Sequence, residues 1–438
     1  MDFSGCNVYV VDAVMGAGKS QSIINLINNS EKINMQLAAT NSMYGDNDRW
    51  LVITNYLSEV TRYQKSCESK HFKAPKDRKE NGRNKLQNLK TLICRGDNII
   101  STHALFSRFD EDLIDICRAA NYTLVLDEVH EVIQPYSMGQ KDFKTLMSYC
   151  DVNPDTKQLV WKESEKDYCD EKFADEKRLV DLGALVLYNN NLMCWLFPIE
   201  VFKAFRKIYI LTYRFDLQMQ RYYYDYYGLK YTYLSVEGDS LDNYHLIPYD
   251  KNKSYIKYDY SKLIHICENE KLNQIGDTEN SLSKTWYDKN QDAVAMKTLK
   301  NNTLNFFCNI CKSKSCDNIW TTFKDYQNKV KGKGYSKGFL ALNCRATNEH
   351  REKTNVAYIV NRYLNPYVKQ FFTSNGIEVD EDGYAMSEML QFLWRSAIRE
   401  GKEINVYIPS IRMRNLLKQW IKDNPLENQM SYNAPKSV

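Results

Sequence analysis

The stretch VYVVDAVMGAGKSQSII, Val8 to Ile24, decides the fold. Val8 to Val11 is a short apolar, β-branched run of the kind that makes a buried strand, and Gln21 to Ile27 has the spacing of an amphipathic helix. Between them stand Gly16, Ala17, Gly18, Lys19 and Ser20, so a glycine loop joins a strand to a helix start, the context of a phosphate loop. Glycines let successive backbone N–H groups turn inward around a phosphate, and the helix adds the positive end of its dipole. Lys19 is then expected on the β and γ phosphates of a nucleoside triphosphate, with the Ser20 hydroxyl on a magnesium ion. Ala13 occupies the place of the usual first glycine, a mild change because the later glycines make the close approach.

Working outward, further apolar runs recur with helical patterns between them: Trp50 to Thr54, Asn98 to Thr102, Thr123 to Glu128 and Lys207 to Tyr213. Such alternation implies a mostly parallel sheet covered on both faces, with ligands at the carboxyl ends of the strands. TLVLDEVH is the second signal: a buried strand delivers Asp127 and Glu128 beside the phosphate loop of the same sheet. Asp127 is expected to hold the magnesium and Glu128 to polarise the attacking water, with His130 on the edge between the nucleotide and the next motif.

The second half offers strand candidates at Asn318 to Phe323, Gly338 to Asn343 and Ile404 to Pro409, with helical segments expected around Thr354 to Phe372 and Ser387 to Arg399. Composition sets outer limits. The 438 residues allow two or three domains, and 43% apolar with 26% charged residues is the balance of a globular protein. No apolar run is long enough to span a bilayer, and a cytoplasmic location without membrane partners is expected. The 12 cysteines follow no framework spacing, which fits reduced thiols. Cys308, Cys311 and Cys316, with Cys344 as a fourth thiolate, leave a zinc site open, although a second CxxC or CxxH is missing. A net charge of +4 does not by itself argue for nucleic acid. The basic series from Arg62 to Arg95, through Lys65, Lys70, Lys73, Lys76, Arg78, Lys79, Arg83, Lys85 and Lys90, suits either phosphate neutralisation or a solvated surface. The 32 tyrosines, clustered in stretches such as RYYYDYYG, suit either core or base stacking.

At this point the motifs match a family. AVMGAGKS and DEVH resemble motifs I and II of the superfamily 2, DEAD/DEAH-box-like helicases, and other pieces follow in the family's order. VITNYLSEV with Thr54 resembles motif Ia, ISTHALF with Thr102 motif Ib, and ILTYR with Thr212 motif III. IWTTF with Thr322 resembles motif IV, NCRATNEH with Arg345 and Thr347 motif V, and QFLWRSAIR with Gln391, Arg395 and Arg399 the arginine-finger motif VI. The whole is most similar to phage and mobile-element helicase-like proteins of low-GC bacteria.

The resemblance implies an α/β fold of two RecA-like P-loop NTPase domains, parallel sheets flanked by helices. They divide as residues 1–215 with the phosphate loop and DEVH, a tyrosine-rich connecting region at 216–300, and 301–438 with the finger. It implies an ATP- and Mg2+-dependent helicase or translocase acting on single-stranded or duplex nucleic acid, DNA favoured, in phage replication or recombination beside other replication proteins. Thr54, Thr102, Thr322, Arg345 and Thr347 would track the nucleic-acid strand. Arg395 and Arg399, four apart, would share one helix face and point at the γ-phosphate, although Trp394 replaces the family's glycine and the second arginine comes one residue late. A nucleotide-switched binding or regulatory module and a packaging-motor ATPase remain as alternatives.

Overall fold

The computed structural model describes residues 7–39, 49–77, 84–168, 170–188, 192–250, 256–291, 294–342 and 349–426, the side chains at 31–39 and 68 excepted. In chain order its strands are β1 (Asn7–Asp12), β2 (Trp50–Thr54), β3 (Ile99–Thr102), β4 (Thr123–Asp127), β5 (Ile133–Tyr136), β6 (Cys150–Val152), β7 (Leu159–Trp161), β8 (Leu185–Tyr188), β9 (Leu192–Leu196), β10 (Lys207–Thr212), β11 (Tyr231–Glu237), β12 (His245–Pro248), β13 (Ile264–Ile266), β14 (Asn318–Thr321), β15 (Asn355–Tyr358) and β16 (Ile404–Tyr407). The chain divides into two compact units: Met1–Asp12, Gly18–Tyr249 and Asn365–Val379 form one, and Ala13–Ala17, Asp250–Leu364 and Asp380–Val438 the other. Both are mixed α/β.

Among the described residues, the first unit is built on a seven-stranded sheet in the order β12-β11-β1-β10-β4-β2-β3. Every pairing in it is parallel except β11 with β12. Parallel strands need both faces covered, and β2 is accordingly buried along its whole length. On one face Ile23, Ile24 and Ile27 of the helix Lys19–Ala39 and Val60 and Tyr63 of the helix Leu57–Ser66 pack on Val11, Val52, Val125 and Leu211. Register then fixes the site. Asp12 pairs with Thr212, Leu211 with Asp127 and Thr54 with Thr102, so the polar residues that end these strands emerge along one edge.

Between β4 and β10 the chain inserts an antiparallel sheet, β5-β9-β8, and a ribbon, β6-β7. This insertion has its own core, including Leu146, Leu159, Phe173, Leu185 and Met193, and carries the acidic run Glu163 to Glu176.

The tyrosine-rich stretch at 216–300 is not a connecting region. The helix Met219–Tyr227 fully buries Tyr222, Tyr223 and Tyr224, and the Tyr223 hydroxyl donates to the Phe197 carbonyl. Gly228, at φ 68°, closes this helix in the left-handed region and turns the chain into β11. Strands β11 and β12 then extend the first sheet, while β13 joins the second. These three tyrosines are therefore core, not base-stacking surface.

The second unit carries a four-stranded parallel sheet, β13-β16-β15-β14, among the described residues. Two expectations change here. The helix expected from Thr354 is interrupted by β15, whose four residues are all buried at the centre of this sheet. A short apolar run without alternation reads equally as helix or buried strand. The helix proper is Pro366–Ser374, capped by Asn365 and started by proline, and it belongs to the first unit, where Phe371 meets Tyr188 and Tyr226 and Phe372 meets Tyr222. The strand expected at Gly338 to Asn343 is reduced, among its described residues, to a single bridge between Phe339 and Trp320. Among the described residues no helix is long and apolar enough to cross a membrane.

Gly276 offers a test of packing in the second unit. A Cβ there would lie 2.0 Å from the Pro409 carbonyl oxygen and 2.8 Å from the Ser410 nitrogen, both main-chain atoms with little room to yield. Gly276→Ala is expected to lower unfolding free energy by about 1–3 kcal/mol or more, measured as a fall in the urea midpoint.

Candidate nucleotide site at the sheet edge

The loop after β1 takes the shape its glycines allow. Gly16 and Gly18 have φ of 87° and 96°, in the region closed to most side chains, and the Ala17 N–H donates to the Val14 carbonyl across the turn at 3.1 Å. The helix starts at Lys19, and Ser22 donates its backbone N–H to Gly18 at 2.8 Å and its hydroxyl to Lys19 at 2.7 Å. The Ser20 hydroxyl lies 3.3 and 3.4 Å from the two carboxylate oxygens of Asp127. Two elements separated by 107 residues therefore place a hydroxyl and a carboxylate together.

Asp127, the last residue of β4, is half-buried. Burial pushes its carboxyl pKa above the ordinary value, while Arg62, the Ser20 hydroxyl, Lys19 and the Tyr63 hydroxyl, 3.5 Å away, pull in the other direction. The next residue, Glu128, has φ 84°, rare for a side chain of this size, and its N–H donates to the Leu211 carbonyl at 3.0 Å. Such a backbone costs on the order of 1–3 kcal/mol and collects at functional sites. Asn55, just past the end of β2, donates its amide to Glu128 Oε2 at 3.2 Å and to the Asp127 carbonyl at 3.5 Å.

Asp12, at the end of β1, accepts the backbone N–H groups of Arg214 and Phe215, both at 2.9 Å, which fixes the chain as it leaves β10. Its carboxyl is also raised by burial, against those two hydrogen bonds, with Lys19 a further lowering influence. Asp12, Asn55 and Tyr63 are not among the residues singled out in the sequence, and Arg62 enters there only as the first of the basic series. Asp12 and Asn55 had a signal, a polar residue where an apolar strand ends; Arg62 and Tyr63, inside a helix, had none.

His130 is turned away from the role expected of it. It is 3% exposed, boxed by Phe106 and Phe197, and its Nδ1 lies 2.9 Å from His103 Nδ1 in a stacked pair. Its N–H donates to the Gln220 side chain at 2.8 Å. With its ring enclosed by aromatics, it forms part of the packing beneath the edge rather than a phosphate contact.

A family model described as the YonV C-terminal Rossmann-like domain matches residues 258–421, a span that contains β13 to β16. Over 423 residues the chain is 39% identical to a SPbeta prophage-derived uncharacterized protein, YonV, of Bacillus subtilis (strain 168), covering 95% of this chain and 99% of that protein. The chain belongs to the YonV family. This overturns its assignment to the superfamily 2 helicases, since the matching family is YonV's; the phage setting alone agrees. The Rossmann-like description fits the parallel sheet of the second unit.

In this YonV-family chain the motifs of the second half diverge from the helicase expectation for physical reasons. Arg395 and Arg399 do not share a helix face. The helix Glu381–Leu393 stops because the Ser396 hydroxyl takes the Leu393 carbonyl at 2.6 Å and Trp394 wedges between Tyr260 and Trp420; Ala397–Glu400 is a separate short turn. Arg395 is 5% exposed and donates to the carbonyls of Ala341 and Leu342 at 3.2 and 3.3 Å. Gln391, on the same helix, is part-buried. Arg399 packs beside Gly16 within the second unit, its Cγ 3.5 Å from where a Cβ would stand. Thr322 is fully buried, as is Thr54, whose hydroxyl donates to the Tyr56 carbonyl at 3.3 Å; Thr102 is part-exposed. Arg345, Thr347 and Cys344 lie outside the described residues. Cys308 and Cys316 are exposed and Cys311 is part-buried; among the described residues no group of three or more His, Cys, Asp or Glu converges as a metal site.

The basic series is partly neutralised. Lys73 pairs with Asp97, Lys85 with Asp77, and Lys90 with Asp110 and Asp112, while Lys65 and Lys76 are exposed and Arg78, Lys79 and Arg83 lie outside the described residues.

The half-buried Asp127 yields a pH test. Its folded pKa is above its unfolded one, so its ionised form costs stability; the penalty is full above the folded pKa and disappears as pH falls through it toward the ordinary carboxylate range. Asp127→Asn is expected to melt higher than the parent at neutral pH without magnesium, the gap closing as pH is lowered, measured by thermal unfolding across pH.

Proposed function

We propose that the chain is a magnesium-dependent ATPase whose turnover is coupled to nucleic acid, DNA favoured, in a prophage setting. The observation that carries this reading is the meeting of Ser20 and Asp127 at 3.3 Å, at the start of a glycine-looped helix and beside Glu128 on its left-handed turn. A hydroxyl and a carboxylate are the oxygen donors that suit magnesium, so Ser20 and Asp127 would hold the ion, which when bound neutralises charge on the β and γ phosphates. The loop N–H groups and Lys19 bind the triphosphate. Glu128, positioned by Asn55, orients water in line with the γ-phosphorus.

The position of β10 between the phosphate-loop strand β1 and the acid strand β4 supports a RecA-like reading of the first unit. For the second, four parallel strands and the Rossmann-like match support a related α/β domain. Coupling to nucleic acid is supported by the part-exposed Thr102 and the exposed Lys65 and Lys76. A helicase or translocase output in phage DNA replication or recombination belongs to this proposal.

The test is phosphate release from ATP by the full chain, with and without magnesium, single-stranded DNA, duplex and RNA. Lys19→Ala is expected to lose both binding and turnover, and Glu128→Gln to bind ATP but hydrolyse it at least about a hundredfold more slowly. A wild-type chain that releases no phosphate under any of these conditions, or a Glu128→Gln chain as fast as wild type, would remove the catalytic reading and leave a nucleotide-switched module.

A further inference from the structure

The turn between β11 and β12 is fastened to the phosphate-loop helix. Asn25, on that helix, donates its amide to the carbonyls of both Leu241 and Tyr244 at 2.9 Å, and Gln21 donates to Asn25 Oδ1 at 3.0 Å, which holds the Asn25 amide in that orientation. Within the turn, Asn243 accepts the N–H groups of Asp239 and Ser240 at 2.9 and 3.0 Å. A surface turn tied so closely brings its side chains to a fixed place. That place is the phosphate loop: a Cβ on Gly18 would lie 2.4, 2.5 and 2.8 Å from Cδ1, Cε1 and Cγ of the Tyr244 ring. Glycine at position 18 is thus required by the ring as well as by its φ of 96°.

Tyr244 is only part-buried, and Leu241 of the same turn is 68% exposed, among the more exposed large apolar side chains of the chain. Tyr244 packs in part against the core of the first sheet, but that core accounts neither for the exposed leucine nor for the open part of the ring on a pinned turn. A nucleotide does. Triphosphate seated on Gly18, Lys19 and Ser20 carries a ribose and a base, and the base needs an apolar, preferably aromatic, surface within a nucleotide's reach of the loop. We propose that Tyr244, with Leu241, is the platform on which the base stacks, so that the site takes a nucleoside triphosphate, purine favoured for its larger face, rather than any polyphosphate. This deepens the ATPase reading and rests on it.

Calorimetric titration of the full chain with magnesium and two probes, a non-hydrolysable ATP analogue and inorganic tripolyphosphate, tests the assignment. Tyr244→Ala is expected to weaken the nucleotide by about tenfold or more while tripolyphosphate binds as in wild type, and Tyr244→Phe to restore the nucleotide. Leu241→Ser, at an exposed position that does not threaten folding, is expected to weaken the nucleotide alone, by a smaller factor. Equal weakening of both probes by Tyr244→Ala would make the ring a mere support for the loop and overturn the proposal, as would an unchanged nucleotide affinity in both variants. A wild-type chain that binds tripolyphosphate no less tightly than the nucleotide overturns the base platform but leaves the phosphate loop standing. One that binds neither removes the phosphate-loop reading, and the platform with it.

Discussion

A carboxylate half-buried at the end of a parallel strand is the constraint from which the rest of the first unit follows. Asp127 is held there among donors and cations, because a carboxylate partly removed from water and left unpaired costs stability. Its partners come from separate elements: Ser20 and Lys19 from the helix after the glycine loop, Arg62 and Tyr63 from the helix Leu57–Ser66. Bringing them together requires β1, β10, β4 and β2 to be neighbours in that order and in parallel register. The same register aligns Asp12 and Thr212, and their edge becomes the floor of the candidate site.

What the sequence disclosed and what it hid divide along sequence distance. Lys19, Ser20, Asp127 and Glu128 were legible because each sits in a local pattern, glycine loop before helix or acid after apolar strand, whose geometry is set within a few residues. Asn55 could be found only as a polar strand end, since its contact with Glu128 spans 73 positions. His103 illustrates the limit: nothing in its neighbourhood announces that its ring will face His130. Nor does the DEVH pattern reveal that Glu128 is held in a left-handed backbone, which arises from the N–H it gives to Leu211 on another strand.

The second half was harder because its apolar segments lack periodicity. NVAYIV is uniformly buried, so neither alternation nor a 3.6-residue repeat marks it, and only its place between β14 and β16 makes it a strand. The arginine spacing misled for a related reason. Four residues make one helix face only while the helix lasts, and Ser396 ends it by competing for the Leu393 carbonyl, the local side-chain bond for which serine is known. With the helix ended, Arg395 turns inward to two carbonyls and Arg399 lies by Gly16. Tyrosine content was similarly ambiguous: the residues of one run, Tyr222 to Tyr224, are core, whereas the isolated Tyr244 stands at the phosphate loop.

The charges at the edge explain why such a site would hold magnesium and triphosphate together rather than either alone. Asp12 and Asp127 are both raised by burial and both eased by Lys19, so the one lysine is shared between two carboxylates. A triphosphate arriving without a metal would draw Lys19 toward its own oxygens and leave Asp127 less compensated, a cost set against its binding. A divalent cation held by Ser20 and Asp127 would remove that cost, because it would supply Asp127 with positive charge and leave Lys19 for the phosphates. Arg62 also offsets the Asp127 charge, but it divides its guanidinium with Glu59 at 2.7 Å. On the proposed reading, nucleotide and metal would therefore bind with positive coupling, its source the few cations around a half-buried acid rather than any movement of the fold.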